Sequence, residues 1–387
     1  MLNVLYLVHD IADPAVARRI AMLRDGGADV ALAGFRRGQD NLPEDIVVTE
    51  LGTTFDAKFL QRLMAIGRAT GGLAARFRNR PAPDIIIARN LEMLFLAQRL
   101  RGVWQGKPAI AYECLDIHRL LLREDVIGRL LRGVERRLVQ DARVLLTSSP
   151  AFLHQYFEAY EQARLPSLLI ENKVHGPSAG RGTNPALHGS NSMETLRIGW
   201  FGALRCNRSL QALAAFSRAM DGRVEIVLRG RPALSAFDDF HGFVAGEPYL
   251  SFEGAYRNPE DLAAIYSDVH LAWAIDYFEA GQNSAWLLPN RIYEGSLHGA
   301  VPVALRGTAT ADMLIANGIG VVVPDIEVET LIGRLGVLSP EKIARLAGDV
   351  AAKPASLFAH SQSDCRDLVA RLAEYAMAPP AERKLAA

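Results

Sequence analysis

An amide, a cation and a carboxylate lie within five residues of the sequence, at Asn290, Arg291 and Glu294. They open a short segment, NRIYEGSLHG, that favours a helix ending at Gly299, and an apolar run typical of a buried strand follows. One interpretation is a solvated helix face between two strands. The other is a binding site for a ligand that is both anionic and rich in hydroxyl groups, because a guanidinium pairs with anions and a carboxylate accepts hydrogen bonds from hydroxyls.

Short apolar segments alternate with helical ones along the first half of the chain. The predicted strands lie in NVLYLVHD, ADVALAGF, DIIIARN, AIAYECLD and RVLLTSSP. Continuously apolar strands separated by helices are typical of a parallel sheet that is covered on both faces. Ligands gather at the carboxyl ends of the strands in such sheets. The polar residues expected at that edge are His9, Asp10, Arg89, Asn90, Asp116 and Ser148.

A segment rich in Gly, Ser, Asn and Pro, residues 176–195, divides the chain and is typical of a linker. The alternating pattern then restarts, with predicted strands in LRIGWFG, VEIVLRG, LSFEG, VHLAWAID, AVPVAL and GVVVPD. From Pro340 the sequence favours helices. It therefore predicts an α/β protein of two Rossmann-like parallel-sheet domains facing a cleft, residues 1–175 and 196–360, followed by a helical tail, residues 361–387.

Composition argues against several classes of protein. The 43 basic and 43 acidic side chains balance, so the whole chain lacks the positive field of a nucleic-acid-binding protein. Cys114, Cys206 and Cys365 lie far apart without metal-ligand spacing, which indicates reduced thiols in a cytoplasmic protein. No apolar run reaches the roughly 18–20 residues of a membrane-spanning helix. Neither opening strand is followed by the glycine fingerprint of dinucleotide dehydrogenases.

The second half resembles the donor domain of GT-B glycosyltransferases. The resemblance rests on the order and spacing of LRIGWFGALRCNRSLQAL, VEIVLRGRP, LSFEGAYRNPEDLAAIYSDVHLAWAI, LLPNRIYEGSLHGAVPVAL and TADMLIANGIGVVVPD. The chain is similar to the family-4-like group that uses sugar nucleotides. Within that group, YECLDIHRLLL and GWFGALRC are similar to bacterial exopolysaccharide enzymes of the succinoglycan type. The resemblance implies the GT-B fold and transfer of a sugar from a nucleotide sugar, which we expect to be UDP-linked, to a glycan acceptor.

The resemblance implies roles for the opening cluster. In resembling enzymes the glutamate that matches Glu294 binds the ribose of the donor. The helix start at Asn290 and the guanidinium of Arg291 suit its diphosphate. Because helix starts and arginines can offset the diphosphate charge, we expect neither an essential metal nor a resident cofactor. Further donor-binding candidates follow strands of the second half, namely Gly202, Arg205, Arg208 and Arg229, with Arg231 and Asp312 as alternatives.

The sequence departs from the family pattern in two places. The family places an arginine directly after the glycine of its first donor-domain strand, whereas Ala203 follows Gly202 here and Arg205 comes next. Many relatives also carry two glutamates eight residues apart, but Trp286 occupies the first position in this chain. Glu279 lies further upstream as one substitute. Each candidate arginine could instead be a solvated charge on a helix or at the end of a strand.

Chemistry on the acceptor is predicted for Asp116 and His118, which follow the strand AIAYEC. In an inverting enzyme Asp116 would accept the proton of the acceptor hydroxyl. In a retaining enzyme a phosphate oxygen of the leaving group could accept it, and Asp116 or His118 would bind hydroxyls of the donor sugar. The alternative is structural, with Asp116 capping the following helix and His118 packed beside it.

A basic amphipathic segment, residues 57–80, carries six basic side chains and no acid: Lys58, Arg62, Arg68, Arg76, Arg78 and Arg80. Such a segment suits an anionic membrane surface. A second basic run, residues 128–138, could belong to the same face. We therefore expect a cytoplasmic protein on the inner face of the cell membrane, with a polyprenyl-diphosphate-linked glycan as acceptor. The alternative for residues 57–80 is a helix packed on the sheet with solvated arginines.

Two other functions remain open for a chain with this fold. A GT-B sugar-nucleotide epimerase would turn over a nucleotide sugar without any acceptor. A non-catalytic polysaccharide-assembly protein would keep the fold and bind nucleotide weakly or not at all.

Overall fold

The computed structural model describes residues 1–36, 46–53, 70–176 and 195–378. These residues form two compact units, one of Met1–Glu171 together with Ser361–Ala387, the other of Asn172–His360. Between its two end residues, the predicted linker 176–195 lies outside the described part of the chain. No helix in that part is long and apolar enough to cross a membrane.

The first unit is built on a parallel sheet. Its strands are β1 (Asn3–Val8), β2 (Asp29–Arg36), β3 (Val47–Thr53), β4 (Ile85–Arg89), β5 (Ala109–Cys114), β6 (Val144–Thr147) and β7 (Ser167–Leu169). Its helices are α1 (Pro14–Asp25), α2 (residues 70–77), α3 (Asn90–Arg101), α4 (Val126–Val139) and α5 (Pro150–Phe152), which a π-helical turn (Leu153–Glu158) continues. The strand order β3-β2-β1-β4-β5-β6-β7 reverses direction between β1 and β4. A crevice for ligands is expected there, outside the carboxyl ends of these two strands.

The second unit repeats this arrangement. Its strands are β8 (Leu196–Leu204), β9 (Val224–Pro232), β10 (Leu250–Phe252), β11 (Leu271–Trp273), β12 (Val301–Leu305) and β13 (Val321–Val323). Its helices are α6 (Asn207–Ala219), α7 (Phe240–Gly246), α8 (Leu262–Ser267), α9 (Asn283–Trp286), α10 (Asn290–Leu297), α11 (Ala309–Asn317), α12 (Val328–Leu331) and α13 (Pro340–Ala351). The order β10-β9-β8-β11-β12-β13 places the reversal between β8 and β11. Both predicted parallel sheets are confirmed.

The last helix, α14 (Gln362–Met377), returns to the first unit. Ser361 and Asp364 cap its start reciprocally. Its apolar side chains, among them Leu368 and Leu372, join the core formed by β1, β4 and α1. Gly26 allows the close approach, because a Cβ there would lie 2.2 Å from the carbonyl oxygen of Cys365. Although we expected a tail after the second domain, this helix is a layer of the first unit.

Candidate active site

The helix that carries the opening cluster forms where the sequence predicts it. α10 begins at Asn290, ends at Leu297 and is followed by Gly299 with φ +88°. Pro289 precedes it in an extended conformation and makes no side-chain capping hydrogen bond to its first turn. The N–H groups of that turn lie at the amino end of the helix, where a bound anion is stabilised.

Arg291 lies at the strand-order reversal of the second sheet. Its guanidinium donates to the carbonyl oxygen of Trp273, the last residue of β11, at 3.4 Å. It also donates to the carbonyl oxygen of Ala203, near the end of β8, at 3.4 Å. These two strands are neighbours in the sheet. The arginine thus places a positive charge across the carboxyl ends of both strands, where ligands of such sheets bind.

Glu294, one turn further along α10, is buried, with 3% of its surface exposed. One carboxylate oxygen accepts a hydrogen bond from the Asn258 amide at 2.8 Å, and the other accepts one from the Tyr266 hydroxyl at 3.3 Å. A buried, hydrogen-bonded carboxylate excludes the interpretation of this position as part of a solvated helix face. A carboxylate oxygen can accept about two hydrogen bonds, so this group is of the type that binds ligand hydroxyls.

Two tyrosines share the environment of this carboxylate. Burial, and then the negative charge of Glu294, raise the pKa of the Tyr266 phenol well above its usual value. The same causes raise the pKa of Tyr256, while the charge of Arg291 opposes the increase. Both phenols therefore stay protonated at neutral pH and can donate hydrogen bonds.

Gly202 lies near the end of β8, where its lack of a side chain leaves the backbone of the strand uncovered. It has φ +102° and pairs in register with Gly230 on β9, which has φ +129°. A Cβ on Gly230 would lie 2.0 Å from the carbonyl oxygen of Gly202, so this position requires glycine. A Cβ on Gly202 would lie 3.7 Å from the Tyr256 hydroxyl. The backbone of β8 is thus accessible beside that tyrosine.

The structure places Arg205 beside the same sheet edge. Its guanidinium lies 3.1 Å from the carboxylate of Asp276, three residues beyond the end of β11. It also covers the ring of Phe278, with 5.0 Å to the ring centroid. The side chain is 37% exposed, so it remains accessible to a ligand.

Arg208 and Arg229 have acidic partners of their own. Arg208 covers the Tyr277 ring at 4.2 Å and lies 3.6 Å from the Glu327 carboxylate. Arg229 forms an ion pair, at 2.6 Å, with Glu253, the residue directly after β10. Neither of these contacts connects Arg208 or Arg229 to the cluster of Arg291 and Glu294.

The alternative acids hold local structure. Glu279 accepts a hydrogen bond from the Asn283 amide at 2.6 Å, and its N–H donates to the Ser284 hydroxyl at 2.9 Å. These bonds secure the start of α9, the short helix that ends at Trp286. Asp312 lies exposed in the first turn of α11.

In the first unit, Asp116 and His118 follow β5 closely. Asp116 is exposed, and its carbonyl oxygen accepts a hydrogen bond from the Cys114 thiol at 3.3 Å. The Nδ1 atom of His118 accepts from the N–H of Leu120 at 3.3 Å, so the neutral ring carries its proton on Nε2. The next helix, α4, is capped by Asp125. Asp125, and not Asp116, therefore caps that helix.

A buried polar network lies on the same sheet. The Glu113 carboxylate accepts hydrogen bonds from the Tyr6 hydroxyl and from Arg19, the latter at 2.8 Å. Arg89 donates to the Tyr6 hydroxyl at 3.3 Å and lies 3.2 Å from the Asp13 carboxylate. Glutamate in an otherwise apolar strand was the signal for this network that our sequence reasoning did not use. The network ties the start of α1 to the end of β4, beside the reversal of strand order.

Asn90, the residue after Arg89, has a φ of +71°, which is uncommon for a residue other than glycine. Its amide nitrogen lies 3.5 Å from Nδ1 of His9. Together with Arg89, His9 and Asn90 place three of the polar side chains predicted at this edge beside the reversal of strand order in the first sheet.

The predicted membrane segment, residues 57–80, is described only from residue 70. In that part Leu73 and Phe77 are buried, at 2% and 1% exposure. Arg76 donates to the carbonyl oxygen of Glu50 at 2.5 Å. This part of the segment therefore matches the alternative of a helix packed on the sheet. Lys58, Arg62 and Arg68 lie outside the described residues.

Among the described residues, no group of three or more His, Cys, Asp and Glu side chains is placed to hold a metal ion. The second unit instead provides arginines and a helix start at its sheet edge.

The chain is similar in sequence to a known protein and similar in fold to several solved structures. The chain is 51% identical over 385 residues to the succinoglycan biosynthesis protein ExoL of Rhizobium meliloti strain 1021. The match covers 98% of this chain and 95% of ExoL. No protein-family model matches the chain.

Solved structures of glycosyltransferases are similar over both units. Sucrose-phosphate synthase from Thermosynechococcus elongatus matches with a TM-score of 0.72 and 14% identity, covering 97% of this chain and 98% of that one. HepE from Anabaena, in complex with UDP and glucose, matches with 0.67 and 15%, covering 97% and 100%. WaaG, a glycosyltransferase involved in lipopolysaccharide biosynthesis, matches with 0.60 and 11%, covering 97% and 100%.

At these identities the structural likeness shows the fold, and the predicted GT-B fold class is confirmed. The identity to ExoL shows the family and confirms the resemblance to exopolysaccharide proteins of the succinoglycan type. The chain belongs to the ExoL family of succinoglycan biosynthesis proteins and has the fold of GT-B glycosyltransferases.

Proposed function

We propose that this protein is a glycosyltransferase that moves a sugar from a UDP-sugar to a glycan acceptor during synthesis of an exopolysaccharide. The observation that carries the proposal is the pairing of Arg291 and buried Glu294 on one helix, at the strand-order reversal of the second sheet. The family of ExoL, a succinoglycan biosynthesis protein, supports the polysaccharide, and HepE, solved with UDP and glucose, supports the donor class.

The donor would be bound through its nucleoside diphosphate. Arg291 and the N–H groups at the start of α10 would bind the diphosphate oxygens, and Arg205 would contribute a second cation. Glu294 would accept hydrogen bonds from the two ribose hydroxyls, held in position by Asn258 and Tyr266. These groups would bind the nucleoside diphosphate and not the sugar, so they set the position of the donor rather than the identity of its sugar.

In the reaction, the acceptor hydroxyl oxygen forms a bond to C1 of the sugar. The bond between C1 and the diphosphate oxygen breaks, and the diphosphate leaves with the electron pair. In an inverting reaction the acceptor proton passes to the Asp116 carboxylate. In a retaining reaction the leaving phosphate oxygen accepts it, and Asp116 or His118 binds sugar hydroxyls instead. Developing charge on the diphosphate would be stabilised by Arg291 and Arg205.

We further propose that the acceptor is a polyprenyl-diphosphate-linked glycan and that the protein works on the inner face of the cell membrane. The role of ExoL in building a polysaccharide supports an acceptor of this class. A lipid-linked acceptor requires the protein to approach a membrane surface.

The proposal is tested by a thermal-shift panel of UDP, GDP and their sugars. A ligand that binds only the folded protein stabilises it by about 2.7 kcal/mol at 100 times its dissociation constant. We expect UDP and at least one UDP-sugar to raise the Tm, with GDP giving a smaller shift. A flat panel would contradict the proposal and favour the non-catalytic assembly protein.

A further inference from the structure

The polarity of α4 is inverted relative to an ordinary surface helix. Its inward side includes Arg132, 7% exposed, and Glu135, fully buried. Its outward side carries four aliphatic residues that are 69%, 50%, 66% and 42% exposed: Val126, Ile127, Leu130 and Val134, here called the apolar face of α4. A surface helix normally buries its apolar stripe and exposes its polar one. The apolar face of α4 is therefore unexplained by the packing of the first unit.

Polar contacts on the inward side fix this orientation. The Glu135 carboxylate accepts hydrogen bonds from the Tyr112 hydroxyl, at 2.8 Å, and from the Tyr156 hydroxyl. Arg132 donates to two carbonyl oxygens of the segment before the helix, including that of Arg123 at 2.7 Å. Its guanidinium also covers the ring of Tyr160 at 4.6 Å. Rotating α4 to bury its apolar face would leave these buried polar groups unpaired, which is costly.

Exposed cations lie beside the apolar face. Arg129, Arg136 and Arg137 are exposed on the helix itself. Just before the helix, Arg123 pairs with Asp125, which caps its first turn. The helix carries one acid, Glu135, and that acid is buried. The four aliphatic residues span about 12 Å of helix at 1.5 Å per residue, so the apolar stripe is short. Every exposed charged residue of the helix itself is an arginine.

We propose that α4 lies in the headgroup region of an anionic membrane, with its apolar face toward the acyl chains and its arginines on anionic lipid headgroups. Aliphatic side chains with flanking cations are what such an interface accepts. A second copy of this chain fits less well, because a two-fold contact through the same face would bring the arginines together. The inference rests on the proposed function for its purpose, since docking of this kind would present the protein to a lipid-linked acceptor.

The apolar part is tested by sedimenting the full chain with vesicles of phosphatidylglycerol and phosphatidylethanolamine, without nucleotide or acceptor. The variant Ile127→Ser/Leu130→Ser/Val134→Ser should partition at least about tenfold more weakly, because it removes most of the buried apolar surface. The matched control is Ile315→Ser, which alters an equally exposed aliphatic residue, 63% exposed, on α11 of the second unit. The control should bind vesicles like the wild type.

The electrostatic part is tested with Arg129→Gln/Arg136→Gln/Arg137→Gln. Each basic residue near an anionic surface contributes about 1 kcal/mol, so three substitutions should weaken vesicle binding by about 100-fold at low salt. Vesicles of phosphatidylcholine alone should bind the wild type weakly. Stronger binding to phosphatidylcholine than to the anionic vesicles would contradict the proposal.

Equal vesicle binding by the wild type and the serine variant overturns the docking surface. If that variant also loses a dimer or a protein partner, measured by analytical ultracentrifugation, the apolar face of α4 binds protein instead. A UDP thermal shift on the same samples keeps the proposed function separate. A shift retained in the serine variant shows an intact donor site, and a flat result in the wild type would count against the function and not against the membrane surface.

Discussion

Replacing Glu294 by alanine removes the one carboxylate that α10 holds in the cluster with Arg291. If this carboxylate binds the ribose, Glu294→Ala should weaken UDP and every UDP-sugar by the same factor, because the sugar contacts stay intact. A hydrogen bond to a charged group is worth about 1.5–3 kcal/mol, which corresponds to roughly 10- to 150-fold in the dissociation constant.

The same substitution also affects folding, and the structure indicates how. The Tyr266 hydroxyl is buried and would lose its acceptor, whereas Asn258 is exposed and can turn to water. An unpaired buried hydroxyl destabilises by about 1–3 kcal/mol. Glu294→Gln separates the two effects, because its amide oxygen can still accept from Asn258 and its amide nitrogen can donate to Tyr266. It should fold almost normally and still bind UDP more weakly.

The assay is isothermal titration of UDP and of a UDP-sugar, with unfolding followed on the same samples. A matched control is Glu247→Gln, which alters a carboxylate that pairs with Arg218 and is 9% exposed. Glu247 precedes β10 and therefore lies toward the amino end of the sheet, away from the proposed site. Equal UDP affinity in wild type and a folded Glu294→Ala would refute the ribose assignment.

Three further results are expected. Asp116→Asn keeps the shape of the side chain but removes its basicity, so turnover should fall at least about 100-fold with UDP affinity unchanged. A steady-state assay of turnover and a titration of UDP measure the two quantities. Near-normal turnover would show that Asp116 takes no part in the chemistry. Arg291→Lys keeps the charge but loses the planar guanidinium that donates to two carbonyl oxygens and would bind a diphosphate. Titration should therefore show weaker binding of UDP. Unchanged binding would exclude Arg291 as a diphosphate ligand. Burial raises the pKa of Glu135 from 4.5 to about 7, so between these pH values the folded state holds a proton on this carboxyl that the unfolded state releases. The shift corresponds to about 3 kcal/mol of stability, which is present below pH 4.5 and is lost as pH rises through 7. Denaturation across that range should show a smaller loss of stability in Glu135→Gln than in wild type, and parallel curves would contradict the shift.

The sequence predicted most of the two sheets because strands buried on both faces read as continuous apolar runs. β4 and β5, buried at every position, are of this kind. β3 and β7 were missed for the opposite reason. β3 alternates exposed and buried residues at one sheet edge, and β7 has three residues at the other. Neither has the apolar run on which the prediction depended.

The candidate site was predicted in part. Asn290, Arg291 and Glu294 share one short helix, so local spacing alone brings them together. Tyr256 and Asn258 come from a loop after β10, where no periodicity predicts the direction of a side chain. The burial of Glu294 likewise depends on contacts between segments distant in sequence.

The two basic segments show a similar limit. The sequence marked residues 57–80 as a basic amphipathic segment suited to a membrane surface, and residues 128–138 only as a second basic run. In the structure Leu73 and Phe77 face the core, whereas Ile127 and Leu130 face outward. Pattern alone cannot show which stripe of a helix the remaining fold covers, because that depends on polar partners such as those of Glu135.

Acceptor-dependent sugar transfer separates a glycosyltransferase from an epimerase and from a non-catalytic assembly protein. The purified protein is incubated with a radiolabelled UDP-sugar, with and without lipid-linked glycan extracted from membranes, and label is measured in the lipid fraction beside released UDP. For a glycosyltransferase, we expect label to enter the lipid fraction only when acceptor is present, with one UDP released for each sugar transferred. Conversion of the UDP-sugar without acceptor would identify an epimerase, and absence of both binding and turnover across UDP-sugars would identify a non-catalytic assembly protein; either result would contradict the account.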